Sequence, residues 1–259
     1  MIGNMTDEPK YAVEATQTSL AILEALVDSN DPVGVTALAD IVGVSKSVAH
    51  NHLSTLRAAG YAVKRSDRYE ASLRPLALGE RTRDGFGFYQ AAKQQLDNLA
   101  AATGETATLF VLEERGGVPV SISEPEGGWS APFHAGERLP LHVNAPGKAI
   151  LASLASDRVD RILDETDLVA PTSATIVDPA ELTDELRQIR DDGVAFCRGE
   201  QYEGIIGVAA PLPQINGSRT AALGVCGPVN RLNGRYLRED ITGQVLSTTK
   251  SIQVDLTAN

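Results

Sequence analysis

The sequence predicts an α+β chain in two parts: a small N-terminal module of three helices closed by a hairpin, and a larger C-terminal domain of strand pairs and flanking helices. Three observations predict it. The length of 259 residues, at roughly 150 residues per domain, gives room for two domains. Hydrophobic spacing switches from helical periods to alternation and back along the chain. Charge is divided unevenly between the parts. With 42% hydrophobic and 22% charged residues, a fibrous repeat or a mainly disordered chain is excluded.

The formal net charge of −11 by itself argues against a nucleic-acid partner, because phosphate binding needs clustered Lys and Arg. The average hides a pattern. Residues 1–35 carry −5, residues 36–83 carry +4 and residues 84–259 carry −10. A basic block inside an acidic chain is the footprint of a small nucleic-acid-binding module joined to a different kind of domain. The excess of 17 Arg over 6 Lys, together with the acidity, points to a salt-rich cytoplasm, where screening relieves self-repulsion.

In the first module, Leu20, Leu23, Leu26 and Val27 follow helical spacing over 16–27, with Thr16 or Thr18 as the cap. Asn30-Asp31-Pro32 ends that helix, and Val33 and Val35 form a short strand. Thr36 then caps a second helix with Ala37, Leu38, Ile41 and Val42 inward. Gly43 closes it, and Ser45 caps a third helix over 46–58. Two short helices joined by a glycine turn are the helix-turn-helix signature.

The third helix divides into two faces. Val48, Ala49, Leu53 and Leu56 form the inward stripe, leaving Lys46, Ser47, His50, Asn51 and Ser54 opposite. Asn bridges an adenine edge bidentately, His and Ser donate or accept at bases, and Lys and Ser hold phosphates. After Gly60, the alternating Tyr61–Arg65, a turn at Ser66-Asp67-Arg68 and the return Tyr69–Ala71 read as a β-hairpin. A basic hairpin behind a recognition helix is a wing, and Lys64, Arg65 and Arg68 would meet the DNA backbone or minor groove. Ser45, Lys46, Ser47, His50, Asn51, Ser54, Lys64, Arg65 and Arg68 are therefore the DNA-binding candidates.

A short helix over 76–83, broken by Gly85 and Gly87, links the parts, and a helix over 88–102 opens the second. Strand-like runs follow at 106–113 and 118–124, helices at 146–154 and 179–192, strands at 194–198, 205–213 and 219–227, and a last helix at 236–255. That is an α+β pattern. The helix at Pro146 carries the most suggestive chemistry. Asn144 caps it, Pro146 suits the first turn, and Gly147 leaves backbone N–H groups open to a carboxylate.

Gly43-Val44-Ser45-Lys46-Ser47-Val48-Ala49-His50, then Leu53-Ser54-Thr55-Leu56, Gly60-Tyr61 and Tyr69, resemble the IclR-type transcriptional regulators. So do Asn144 to Ala152 with its Gly-Lys-Ala, Ile189-Arg190-Asp191-Asp192-Gly193, and the strand pair Gly207 to Pro211 with Leu223 to Pro228. The resemblance covers residues 12–254. It implies a winged helix-turn-helix over 12–73, a linker helix over 74–87 and a GAF-like effector-binding domain over 88–259. With the acidic composition it also implies a halophilic archaeal source. Asn51-His52-Leu53 stands where the family often has Arg-Leu-Leu, so base preference does not transfer, and His52 is assigned to the domain core.

The family's pocket lies near the Gly-Lys-Ala segment. An anionic (carboxylate) or aromatic metabolite is expected there, with Asn144, Ala145, Gly147 and Ala149 on one wall and Gly204, Ile206 and Cys226 facing them. Catalytic readings are weak. Ser247-Thr248-Thr249-Lys250 has the S-x-x-K spacing without its partner motifs. His50 and His52, two apart on a helix, point roughly 200° apart and cannot share a metal. His134 and His142 lack supporting ligands, Gly147-Lys148 lacks a P-loop's first glycine, and Cys197 and Cys226 form no metal or disulfide pattern. No catalytic residue, metal or cofactor is expected.

Residues 1–10 have no apolar core of a secretory signal. Apolar runs such as 145–154 fall short of the ~20 residues of a membrane span, so the expectation is a cytoplasmic protein without membrane contact. The sequence thus points to a DNA-binding regulator, acting as a homodimer or dimer of dimers, whose operator affinity is set by a small-molecule effector. The alternative is a metabolite-binding or enzymatic α+β protein whose helix-turn-helix makes protein contacts only.

Overall fold

The computed structural model describes residues 11–213 and 219–257. The chain divides into two compact units between Thr82 and Arg83.

In the first unit, α1 (Glu14–Val27), α2 (Val35–Val42) and α3 (Lys46–Ala58) pack around Ile22, Leu26, Leu38, Ala49 and Leu53. Gly43 closes α2 with φ 75°, a left-handed conformation that costs other residues energy, and the Val44 N–H returns to the Ala39 carbonyl. Ser45 caps α3, its Oγ accepting from the Val48 N–H at 3.3 Å.

A three-stranded sheet ends the unit, with β1 (Val33–Gly34), β2 (Ala62–Arg65) and β3 (Arg68–Ala71) in the order β1-β3-β2. The wing turn is the two residues Ser66-Asp67, so Arg68 belongs to the return strand and faces Arg65. Several apolar residues expected inside are exposed: Leu20 and Val27 on α1, Ile41 on α2 and Val48 on α3. Each lies next to the true stripe rather than on it. In helices this short only two or three positions reach the core. Val35 begins α2 instead of sitting in a strand, and Gly34 rather than Thr36 precedes the helix.

From α4 (Arg74–Asp84) the chain passes into the second unit. There α5 (Tyr89–Thr103) precedes β4 (Thr106–Glu113) and β5 (Gly116–Ser123), then β6 (Leu139–Pro140) and a 3-10 turn at Leu141–Val143. Next come α6 (Ala145–Ser153), α7 (Ser156–Asp164) and α8 (Pro179–Asp192). Strands β7 (Ala195–Arg198), β8 (Ile205–Leu212) and β9 (Ala221–Pro228) follow, and a π-helical stretch Tyr236–Ile241 leads into α9 (Thr242–Thr257).

The strands form one antiparallel sheet, ordered β6-β5-β4-β9-β8-β7. Helices cover both faces. One core lies with α5 and α9 around Leu96, Val208 and Val245, and the other with α6 and α8 around Phe110, Ile150 and Leu186. Buried on both sides, β8 and β9 are continuously apolar rather than alternating. Small residues line the α6 side. A Cβ on Gly224 would stand 2.8 Å from Ala209 and 3.2 Å from Pro146, which is why α6 lies so close to the sheet.

Candidate DNA-reading helix and ligand recess

On α3 the buried face is Ala49, Leu53 and Leu56, and the polar residues Lys46, Ser47, His50, Asn51 and Ser54 are exposed. Ser45, Lys46, Ser47, His50 and Asn51, with Val35, line one open depression. Asn51 and His50 thus stand together on a solvent face without an intrahelical side-chain partner, the state in which such groups meet base edges. Ser54 instead donates to the His50 carbonyl at 2.8 Å. The neighbouring His52 is half-buried, its Nδ1 2.8 Å from Ser19 Oγ, so it fastens α3 to α1.

The wing cations are exposed but engaged. Lys64 stands over the Tyr69 ring at 5.6 Å. Arg65 pairs with Glu70 at 2.5 Å, which raises its already high pKa through the hydrogen bond first and the charge second. Arg68 donates to the Pro32 carbonyl at 3.0 Å, tying the wing to the chain before β1.

In the second unit a narrow recess opens between the sheet and the start of α6. Asn144, Ala145 and Cys226, three of the seven residues singled out in the sequence, line it. The other four are elsewhere. Gly147 is packed on the backbone before the helix, where a Cβ would fall 2.2 Å from the Leu141 carbonyl oxygen, so its role is close packing. Ala149, two residues further along α6, is fully buried in the core. Ile206 faces the α5–α9 core, because strand alternation turns Ile205 and Gly207 to the recess instead. Gly204 ends the β7–β8 loop with φ 75°.

The helix start also differs from expectation. The Gly147 N–H is given to Asn144 Oδ1 at 2.8 Å, the Lys148 N–H goes to the Asn144 carbonyl, and Pro146 has none. These donors are satisfied within the cap and are not open to a carboxylate.

Sequence reasoning missed the aromatic wall. Phe110 and Phe133 meet edge to face at 5.9 Å, and Trp129 and Tyr202 enter from loops. Thr106 Oγ1 fixes one loop by donating to the Trp129 carbonyl. Loop aromatics carry no periodicity, but the β4 residues Thr106, Thr108 and Phe110 were readable as one strand face. The floor is a cross-strand row, Cys197 beside Gly207 beside Cys226. Burial chiefly pushes the Cys226 thiol up to about 12, with Cys197, Glu105 and Glu124 adding to it. Burial also raises Cys197. Both thiols stay protonated and are poor nucleophiles.

Beside the recess, the fully buried Lys148 lies 2.7 Å from Glu200 Oε2 and 3.0 Å from Glu185 Oε1. His142 is buried with Nε2 2.8 Å from the Val169 carbonyl, and burial lowers its pKa. His134 is exposed, and Ser247 and Lys250 lie on the outer face of α9. No group of three or more metal-ligating side chains is gathered among the described residues. Nor is any described helix long and apolar enough to cross a membrane.

A winged helix-turn-helix ahead of a separate α+β domain with its own recess defines a helix-turn-helix transcriptional regulator. Residues 16–66 match the IclR helix-turn-helix domain, and residues 83–254 match the family described as bacterial transcriptional regulator IclR C-terminal. The chain belongs to the IclR family of transcriptional regulators. It is 31% identical to the HTH-type transcriptional regulator BhcR of Paracoccus denitrificans, over 91% of this chain and 85% of that one. The structure is similar to the IclR of Thermotoga maritima, with a TM-score of 0.82, 25% identity, and coverage of 94% of this chain and 98% of that one. An IclR homolog from Microbacterium hydrocarbonoxydans, solved with 4-hydroxybenzoate, shares the fold at a TM-score of 0.80 and 19% identity, covering 95% and 100%.

Proposed function

We propose that this chain reads an operator through α3 and the wing, and that a small molecule held in the recess of the second unit shifts operator affinity. The exposed Ser47, His50 and Asn51 on a helix capped by Ser45 carry the first half. The aromatic-walled recess carries the second, and 4-hydroxybenzoate bound by a relative of the same fold supports it. Ligand control requires unequal affinity of the effector for the DNA-competent and incompetent arrangements. The reading places the protein in the cytoplasm and assigns it no reaction, in keeping with relatives named as regulators.

The active species in this reading is a homodimer or a dimer of dimers, with residues 74–87 linking the domains. Val13, Leu20 and Val27 are exposed at seven-residue spacing along α1, an apolar stripe suited to a second copy. Two-fold symmetry doubles the site that one short helix reads.

The test is fluorescence anisotropy of the full chain against tiled DNA from the promoters flanking its own gene. One tile bound far above the rest, with the preference lost in Asn51→Ala, supports the reading. Equal losses on specific and random DNA for Asn51→Ala refute the groove assignment.

A further inference from the structure

Resting on the recess as the effector site, we infer that the effector is an uncharged, ring-bearing molecule whose single hydrogen-bonding group is received by the Thr108 hydroxyl. Thr108 is 2% exposed and lines the recess, and among the described residues its Oγ1 makes no hydrogen bond. A hydroxyl on a largely buried residue that faces the recess without a protein partner is available to a ligand. Several of the other polar groups nearby are engaged within the protein. Asn144 gives its amide to the Pro140 carbonyl and accepts from Gly147, Cys197 donates to the Val143 carbonyl, and Gln201 donates to Tyr202.

The walls select a flat ring. Phe110, Phe133, Trp129 and Tyr202 surround the space, and Gly207 leaves the floor bare between the two cysteines.

The surroundings reject an anion. Among the described residues no Lys, Arg or His lines the recess, and the Gly147 and Lys148 N–H groups are taken by Asn144. Carboxylates stand around it instead. Tyr202 is raised first by burial and then by Glu137, and Cys226 feels Glu105 and Glu124. A carboxylate entering there would be desolvated with no cation lining the recess to pair it.

The chain's single tryptophan, Trp129, lines the recess and reports occupancy by its fluorescence. Benzyl alcohol, toluene and benzoate are titrated into the full-length protein and into the Thr108→Val, Thr108→Ser and Gly207→Ala variants. A Cβ on Gly207 meets Ala145 and Cys226 at 3.5 and 3.6 Å, ordinary contact distances, so Gly207→Ala keeps the fold and only shallows the floor. Benzyl alcohol is expected to bind at least about tenfold tighter than benzoate. Thr108→Val should bring benzyl alcohol to the level of toluene while Thr108→Ser preserves the difference, and Gly207→Ala should weaken both.

Benzoate binding as tightly as benzyl alcohol, with both weakened by Gly207→Ala, overturns the ligand class and leaves the site standing. An unchanged benzyl alcohol preference in Thr108→Val overturns the role of the hydroxyl. The absence of a saturable response to any probe, or a response indifferent to Gly207→Ala, overturns the recess as the effector site itself.

Discussion

The Lys148 ammonium straddles the Glu200 carboxylate at 2.9 and 2.7 Å with none of its side chain exposed, joining α6 to the loop after β7. Glu200 is also fastened from behind, its carbonyl accepting from Thr175 Oγ1 at 2.7 Å and its Oε1 from the Arg198 N–H. The next two residues, Gln201 and Tyr202, line the recess. The buried pair therefore holds one recess wall in place through its neighbour in sequence.

Removing Lys148 leaves Glu200 buried without its cation, which typically costs about 3–5 kcal/mol, whereas replacing both with apolar residues is often near neutral. Lys148→Met is expected to destabilise the protein by that order, and Lys148→Met with Glu200→Leu to recover much of the loss. Urea unfolding of the two single variants and the double variant checks it. Simple additivity of the losses would show that the two residues do not act as a unit.

On the DNA side, Asn51 and Arg65 should separate by kind of effect. Asn51→Ala is expected to cost about 1–3 kcal/mol at the operator and little on random DNA. Arg65 spends its guanidinium on Glu70, with both side chains partly exposed. Glu70→Gln releases a cation for phosphate, so binding to every sequence should tighten and the salt slope steepen by about 0.9. Anisotropy across a salt series reads both. An unchanged slope in Glu70→Gln would place Arg65 away from the backbone.

Much of this architecture was legible in the sequence, for identifiable reasons. Gly43, Ser45 and Asn144 cap or close their helices as their residue types dictate, and β4 and α8 fall at the expected residues. Local hydrogen-bonding chemistry wrote those signals. The recess was less legible because β8 is apolar on both faces, so nothing in its sequence says that Ile205 and Gly207, rather than Ile206, turn inward. Trp129, Phe133 and Tyr202 come from loops whose placement depends on distant strands. The nine-residue α7 buries only Val159 and Ile162, too short a stripe to stand out in an Asp- and Arg-rich segment.

Gly147 tests the boundary between fold and site. Its missing Cβ lets α6 rest against the Leu141 backbone. Gly147→Ala should destabilise the protein by about 3 kcal/mol, as overpacking against a backbone that cannot yield does. Thermal unfolding measures it. A stable Gly147→Ala that loses only ligand binding would restore this residue to the site.

His142 makes stability depend on pH in a defined direction. Burial, with smaller help from Lys148, lowers its pKa below the ordinary 6.5, against the hydrogen bond to Val169 that raises it. The unfolded chain therefore binds a proton before the folded one does, and folding is penalised progressively as pH falls from about 6.5 toward the lowered value. Urea midpoints for wild type and His142→Gln at about pH 7.5 and about pH 5 check this. The acid-side loss should be smaller in His142→Gln. An equal loss in both proteins would place the acid sensitivity at other groups.

Salt should act oppositely on the two halves of the proposed function. Residues 84–259 carry 24 acidic against 14 basic side chains, an excess of ten that pairs such as Arg138 with Glu113 and Glu114, or Arg115 with Glu165, leave unchanged. Those exposed pairs are individually weak and are screened together with the repulsion. The repulsion acts over the whole domain, so its relief dominates, and the thermal midpoint should rise from low to molar KCl. DNA contacts respond the other way, because each phosphate neutralised by Lys46, Lys64 or Arg68 releases counterions and loses affinity as salt rises. In high salt, more of the proposed operator specificity would have to come from uncharged readers such as Asn51 and His50 than from the wing. A thermal midpoint that fails to rise with KCl would remove the salt-rich setting, and with it the reason to expect that balance.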